Sequence, residues 1–200
     1  MDDLFKSARA AHLIKPGAAG SIDGTGFESR YVSRYFLRIQ SGRCKQFRPW
    51  AKRIMVCDHA THLITAMVIS TQPCHDAKYF PEALTQAAQR QRFDFLAADG
   101  AFDAEAFHAL CRENLGIRQT AIPVNSRGHA RAVVKGRYRR EMQTHFPKSR
   151  FGQRWQSESV FSRMKRRLGP DLRARQDESR VREISLKVLT HNLMILRCCA

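Results

Sequence analysis

The order of apolar and polar positions along the chain predicts strands first, then alternating strands and helices, and finally helices alone. The best strand candidates are 53–58 and 62–70, which are rich in β-branched residues and are joined by a three-residue link. Such a short link between two apolar runs is typical of an antiparallel hairpin. A further apolar run at 93–98 ends at Asp99. This order predicts a mixed α/β sheet with helices packed on it.

Apolar residues recur at helical spacing in four later segments, and each predicts a helix with one buried face. These segments are 77–91, 103–114, 155–168 and 178–197. Gly169-Pro170 follows the third segment directly and is a typical signal for the end of a helix. The first strand, by contrast, is expected to end at Asp23, because Gly24-Thr25-Gly26 has the composition of a break.

Composition changes this picture through charge. The 200 residues carry 35 Lys and Arg against 18 Asp and Glu, a formal net charge of +17. Hydrophobic residues make up 43%, which is enough for a packed core and excludes a wholly disordered chain. The excess of base predicts an anionic partner, either nucleic acid or an anionic membrane surface. No apolar run approaches the length of a membrane span, so the sequence gives no evidence for membrane insertion.

The positive charge is concentrated in the second half of the chain, which has a net charge of +12 against +5 for the first half. Residues 125–150 are basic, poor in apolar positions and interrupted by two glycines, so a mobile or DNA-facing segment is expected there. A strand is predicted before it, over 118–124, and another over 31–39. The six cysteines form no CxxC pair, and the N-terminus lacks a signal peptide, so reduced thiols in the cytoplasm are expected.

Three acids are candidates for chemistry. Asp23 and Asp99 are predicted at strand ends, and Glu158 lies on a predicted helix. Carboxylates that converge from separate elements can hold Mg²⁺, which prefers oxygen ligands. The alternative for each aspartate is a turn or helix-capping role.

The helix that carries Glu158 places Arg154, Ser162 and Lys165 on the same stripe, beside a separate apolar stripe. An acid flanked by cations suits a metal ligand next to phosphate-binding groups. The alternative is an ion pair between Arg154 and Glu158 on a solvated face, where it would contribute about 0.3–0.5 kcal/mol.

The sequence Phe151-x₂-Arg154-x₃-Glu158-x₆-Lys165 resembles the Y-x₂-R-x₃-E-x₆-K motif of bacterial insertion-sequence DDE transposases. Asp99-Gly100-Ala101-Phe102 is similar to the segment around that family's second aspartate, and Ile22-Asp23-Gly24-Thr25-Gly26-Phe27 to the first. His191-Asn192-Leu193 is similar to the usual end of the catalytic domain. The resemblance extends over about residues 20–196.

The resemblance implies a ribonuclease H-like fold, a mixed sheet flanked by helices, with a catalytic site for two Mg²⁺ ions that Mn²⁺ can replace. It implies that Asp23, Asp99 and Glu158 are the metal ligands and that Arg154 and Lys165 bind transposon-end DNA. The implied reaction is DNA strand cleavage followed by strand transfer, which moves an insertion sequence. It also implies a homodimer in a synaptic complex, and a bacterial protein located at the nucleoid when bound to DNA. Further DNA-binding candidates, taken from the residues themselves, are Arg163, Arg166, Trp155 and Arg139.

The chain departs from the family pattern in two respects. Phe151 replaces the motif's tyrosine, so a hydroxyl that could donate to phosphate is missing. Residues 1–18 are too short for the usual N-terminal DNA-binding region, so we expect a remnant or linker there and a catalytic domain over 19–197. The alternative function is that of a truncated or domesticated relative that binds DNA without catalysis, and a weaker one is RNA assembly. Zinc binding by Cys57, Cys74 and the neighbouring histidines is disfavoured, because their spacing fits no structural zinc pattern.

Overall fold

The computed structural model describes residues 1–29, 51–70, 75–125 and 133–199. The strand predicted over 31–39 therefore lies outside the described residues. The hairpin, the strand that ends before Asp99 and the helix over 155–168 are all confirmed.

A mixed sheet forms the centre of the domain. Its strands are β1 (Ala18–Ser29), β2 (Ala51–Asp58), β3 (Ile64–Ser70), β4 (Phe93–Ala98), β5 (Gln119–Ala121) and β6 (Asp171–Leu172). The order is β3-β2-β1-β4-β5, and the short β6 pairs in parallel with the far end of β1. β1 is antiparallel to β2 and parallel to β4, so the sheet changes from antiparallel to parallel at β1.

Helices cover both faces of the sheet. They are α1 (Asp2–Ala10), α2 (Phe80–Arg90), α3 (Glu105–Ala109), α4 (Arg137–Thr144), α5 (Lys148–Phe151), α6 (Trp155–Leu168) and α7 (Asp177–Cys199). A single π-helical turn, Leu110–Asn114, continues α3. Short 3-10 turns precede α2 and α6 and follow β4.

Alternation of side chains along β1 separates two cores. Ile22 points to the face covered by α2, where it packs with Phe80 and Leu96. Phe27, an odd number of positions away, points to the opposite face, where it packs with Met55 and with α6 and α7. The residues that line these cores are almost entirely excluded from solvent, so the sheet is a rigid support for whatever lies at its edges.

The prediction that β1 ends at Asp23 is wrong. The strand continues through both glycines to Ser29, and Asp23 pairs with Met55 in the middle of the ladder with β2. A Cβ atom on Gly24 would lie 2.9 Å from Oδ2 of Asp76, so a larger residue would displace the Asp76 side chain. This glycine therefore permits the close approach of Asp76 to β1 and does not break the strand.

Of the two alternatives predicted for 125–150, a mobile or a DNA-facing segment, the mobile one is wrong for the described part, and the DNA-facing one remains a prediction. Residues 137–144 and 148–151 form α4 and α5, and Tyr138 and Met142 of α4 are buried. The Glu105 carboxylate accepts hydrogen bonds from the backbone N–H groups of Tyr138 and Arg139, both at 3.0 Å. An acid at this position satisfies the free N–H groups of the first turn of α4 and favours its dipole.

The first residues of the chain pack on the last helix. Leu4, Phe5 and Ala8 of α1 form a small core with Leu63 and Ile195. Arg90 connects α1 to the end of α2 through its 2.9 Å hydrogen bond to Asp2. Within the described ranges, no helix is both long and apolar enough to cross a membrane.

Candidate active site

Asp23 projects from the centre of β1 toward the face covered by α6. Its side chain is 18% exposed, and its Oδ1 accepts the N–H of Gly24 at 2.8 Å. Because β1 is paired with β2 at Asp23 and with β4 up to Ile22, the backbone that carries Asp23 is held firmly.

Asp99 directly follows the neighbouring strand β4. Ile22 of β1 is in register with Ala98 of β4, so Asp23 and Asp99 each come one position after the last pair of this parallel ladder. Ala98 packs against the α2 core, whereas Ala97 packs on the opposite face, so the alternation places Asp99 on the same face as Asp23. Asp99 is exposed and still extended, with φ −69° and ψ 157°, and a 3-10 turn follows it.

Glu158 approaches the two aspartates from above the sheet. It lies in the first turn of α6, and its side chain is 60% exposed. Val160, Phe161 and Met164 bury the other side of this helix against the core around Phe27. The apolar stripe therefore fixes the rotation of α6 and leaves Glu158 at the open edge.

Arg154 connects two of the three acids. Its Nη1 donates to Oδ2 of Asp23 at 2.8 Å, and its Nη2 donates to Oε1 of Glu158 at 2.9 Å. The sequence left two roles open for Glu158, a metal ligand or an ion pair with Arg154, and the structure contains the ion pair. It is not, however, an isolated pair on a solvated face, because the same guanidinium also binds a carboxylate 131 residues away.

The electrostatics confirm that negative charge is concentrated here. The pKa of Asp23 is raised, first because burial disfavours its charged form, and further because Asp99 and Glu158 repel its charge. The Gly24 N–H and the Arg154 guanidinium act in the opposite direction without reversing the shift. Asp99 and Glu158 are thus both close enough to Asp23 to act on its charge.

The donor chemistry fits a hard divalent cation. The three side chains are carboxylates, and a dication would relieve the repulsion that raises the pKa of Asp23. In the described part of the chain, however, no three acidic, His or Cys side chains are already arranged around a common metal position. The guanidinium of Arg154 lies between Asp23 and Glu158 instead.

The residues predicted to bind DNA lie on or next to α6, with one exception. Trp155 is 53% exposed, Arg166 is exposed and Arg163 is partly buried. Lys165 is also partly buried, and its ammonium lies 5.4 Å from the centre of the Phe27 ring. Their contacts with DNA remain predictions.

Arg139 is the exception, because it lies on α4 and is engaged within the protein. Its Nε and Nη2 donate to the two carboxylate oxygens of Asp103 at 2.7 and 2.6 Å. Asp103 itself begins the chain's path from the turn after Asp99 into α3. Arg139 therefore braces the segment that follows Asp99, and its predicted DNA contact is untested.

Sequence reasoning missed the residues that attach α6 and α7 to the β2–β3 hairpin. The ring of His62 is 2.7 Å from Oε1 of Gln156, and the Asn192 side chain bonds both the N–H and the C=O of Ile64 at 2.9 Å. His191 Nε2 lies 3.1 Å from the carbonyl of His62. The His191-Asn192 pair had been noted in the sequence, so the signal was present, but its role in docking α7 on β3 depends on contacts 128 residues apart.

The zinc alternative gains no support. Cys57 is fully buried in the apolar core below α6, and burial raises the pKa of its thiol far above the usual range. Cys74 lies outside the described residues.

His59, at the end of β2, provides a test of the fold's acid sensitivity. Neither ring nitrogen has a hydrogen-bond partner among the described residues, and burial lowers the pKa of His59 to about 4, against the opposing effect of Asp58. The unfolded chain therefore binds the proton more readily between pH 6.5 and 4, and stability falls as the pH is lowered through that range. His59→Gln should remove about 2 kcal/mol of this loss, a figure reduced for partial exposure.

Urea denaturation at several pH values from 4 to 7 measures the effect. Because the pKa values of His108 and His191 are also lowered, the wild type keeps part of its slope, and the difference between the two curves is the quantity of interest. The exposed His75 provides the matched control, His75→Gln. Parallel curves for wild type and His59→Gln would show that the His59 ring is not held neutral by the fold.

Comparison with known proteins agrees with this geometry. The sequence profile described as "Transposase DDE domain" matches residues 15–193. A search of curated protein sequences gave no match. Among solved structures, the chain resembles the piggyBac transposase in its synaptic complex with hairpin DNA, with a TM-score of 0.56 and 12% identity over 98% of this chain and 52% of the other. The chain thus spans about half the length of that transposase.

A second solved structure, the catalytic core domain of BIV integrase, gives a TM-score of 0.39 and 16% identity over 90% of this chain and 81% of the other. A similarity of that size does not by itself establish a shared fold. The sheet order and the piggyBac match confirm the expected ribonuclease H-like architecture. Since the family profile covers nearly the whole described fold, including all three acids, the chain belongs to the transposase DDE domain family.

Proposed function

We propose that this domain cleaves DNA strands and joins them to new positions, using divalent metal ions held by Asp23, Asp99 and Glu158. The observation that carries the proposal is the proximity of these acids: Asp23 and Asp99 each come one position after the last pair of the β1–β4 ladder, and Glu158 shares the Arg154 guanidinium with Asp23. Membership of the family supports a polynucleotidyl transferase activity. Mg²⁺ as the natural ion, and an insertion sequence as the element that is moved, are part of the proposal.

Bound divalent ions would activate the attacking oxygen and stabilise the leaving oxygen during phosphoryl transfer. The chain contributes a rigid floor, because Asp23 is fixed in the sheet and Asp99 follows β4 directly. Glu158 is held by a helix whose other side is buried, so it approaches from a defined direction.

The DNA would lie along the exposed side of α6. Arg166 and Arg167 are exposed in the last turn of that helix, and the exposed Trp155 stands at its beginning, beside the acids. Cations neutralise backbone phosphates, and an exposed indole can stack on an unpaired base. We further propose that two copies act together at paired DNA ends, as the synaptic complex of the piggyBac transposase suggests by analogy.

The proposal is tested with the purified chain and supercoiled plasmid DNA in Mg²⁺ or Mn²⁺. We expect conversion to nicked circles that stops when EDTA is added. Retention of the plasmid in a gel-shift assay without nicking in either metal would favour the alternative, a relative that binds DNA without cutting it. A protein that neither binds nor nicks the plasmid would contradict both functions.

A further inference from the structure

Arg154 holds a position that divalent cations would need. It is the last residue of the 3-10 turn Gly152–Arg154, immediately before α6, so its side chain extends along the first turn of the helix toward Glu158. From there it reaches down to Asp23, and only 23% of the side chain is exposed. The guanidinium is therefore inserted between two proposed ligands.

The hydrogen bonds of Arg154 are shorter and less exposed to solvent than those of an ordinary surface ion pair. Two different nitrogens of one planar group each donate a hydrogen bond shorter than 3 Å to a different carboxylate. Charge-assisted bonds of this length are about twice as strong as neutral ones. One acceptor, Asp23, is mostly buried, so its bond is poorly screened by water.

One guanidinium does not balance the charge around it. Asp23 experiences repulsion from both Asp99 and Glu158 and attraction from Arg154. The Arg154 guanidinium carries one positive charge and is shared by two carboxylates, so a dication bound by the same carboxylates would compensate their charge more fully. The dication and the guanidinium cannot occupy the space between Asp23 and Glu158 together, because both are cations and use the same acceptor atoms.

We infer that Arg154 is an internal counter-ion that competes with the divalent metal for Asp23 and Glu158, and that its release on metal binding supplies a guanidinium for a DNA phosphate. The inference rests on the proposed function. It makes Arg154 a positioning residue that couples the two ligands: the metal frees Arg154 for DNA, and DNA that captures Arg154 opens the site for metal. By linkage, each ligand then raises the affinity for the other by the same factor.

The test measures metal binding directly, without reference to catalysis. Mn²⁺ binding to the full chain is followed by electron paramagnetic resonance, with and without a short DNA duplex. In the absence of DNA, we expect Arg154→Gln to bind Mn²⁺ about tenfold more tightly than the wild type, because the metal no longer has to displace the two charge-assisted hydrogen bonds of the guanidinium. DNA should increase the Mn²⁺ affinity of the wild type and leave that of Arg154→Gln nearly unchanged.

Two further variants separate competition from general charge effects. Arg182→Gln removes the same charge from an exposed position on α7, outside the proposed DNA-binding surface of α6, and it should leave Mn²⁺ affinity without DNA within about twofold of the wild type. Arg154→Lys retains the charge but lacks the planar fork that reaches both carboxylates, so its affinity should lie between those of the wild type and Arg154→Gln.

The outcomes distinguish failure of the counter-ion inference from failure of the proposed metal-dependent function. Equal or weaker Mn²⁺ binding by Arg154→Gln, in a protein that melts like the wild type, would overturn the inference and leave the metal site in place, because Arg154 would then merely order the acids. Absence of Mn²⁺ binding by every protein, with and without DNA, would overturn the proposed function itself.

Discussion

Replacing Asp23 by asparagine is expected to abolish metal-dependent DNA cleavage without destabilising the fold. Asparagine has the shape of aspartate and can still accept the Gly24 N–H through its carbonyl oxygen. What it lacks is the negative charge that a metal ligand needs. A bound metal ion contributes several kcal/mol to transition-state stabilisation, so we expect the nicking rate to fall by about 10³-fold or more.

The stability part of this prediction follows from the raised pKa of Asp23. A carboxyl group whose pKa is higher in the folded state than in the unfolded chain disfavours folding once it is ionised, so the charge of Asp23 is a cost at pH 7. Asp23→Asn removes that charge, and its melting temperature should equal or exceed that of the wild type. The charge of Asp23 is thus needed for the proposed reaction and not for folding.

Plasmid nicking and thermal denaturation on the same preparations provide the measurement. Asp3→Asn is the matched control, because Asp3 is 94% exposed on α1 and should change neither quantity. Nicking by Asp23→Asn at a rate near that of the wild type would remove Asp23 from the catalytic site. A marked fall in melting temperature would show instead that the ion pair with Arg154 outweighs the burial of the charge.

The second large effect concerns stability. Arg139→Met should lower the free energy of unfolding by about 3–5 kcal/mol, because it leaves the Asp103 carboxylate buried without its cation. The Asp103 side chain is only 2% exposed, and beyond the two bonds from Arg139 its Oδ2 accepts the N–H of Asn125 at 2.8 Å. A single backbone N–H does not compensate a buried charge.

Arg140→Met is the control for this experiment. Arg140 is the next residue of α4, carries the same charge, and is exposed, so its removal should cost less than about 1 kcal/mol. Urea denaturation at pH 7 compares the two variants. Similar losses of unfolding free energy in the two variants would mean that the Asp103–Arg139 pair stabilises the fold no more than a surface contact does. Arg139 would then be available for its predicted contact with DNA.

The pattern of apolar residues predicted correctly the elements that depend only on residues near each other in the sequence. The β2–β3 hairpin, β4 and α6 follow from apolar alternation, helical spacing and the Gly169 stop, and their positions agree closely with the structure. The strand predicted for β1 was too short, because Gly24 in the sequence alone is typical of a break. Its actual role depends on Asp76, which is 52 positions later in the sequence and is brought close only by the folded sheet.

The same distinction explains what was missed in α4 and at the site. The basic composition of 125–150 suggested a mobile or DNA-facing segment, whereas Glu105 and Asp103, from another part of the chain, order residues 137–144 as a helix. At the site, the acids and Arg154 were found through the family resemblance and the helical stripe. The bridge from Arg154 to Asp23 could not be read from the sequence, because helical spacing says nothing about a strand 131 residues earlier.

The sheet order also determines when a growing chain can acquire the site. β1, β2 and β3 are successive neighbours, whereas β1 pairs on its other side with β4, which follows much later in the sequence, and α6 comes later still. Contacts between distant segments form only after the intervening chain is available to close the loop. During synthesis, the antiparallel half of the sheet can therefore assemble while Asp23 still lacks both of its acidic partners. A polypeptide interrupted before residue 158 would contain the strands of the proposed site and lack the helix that brings Glu158 to it.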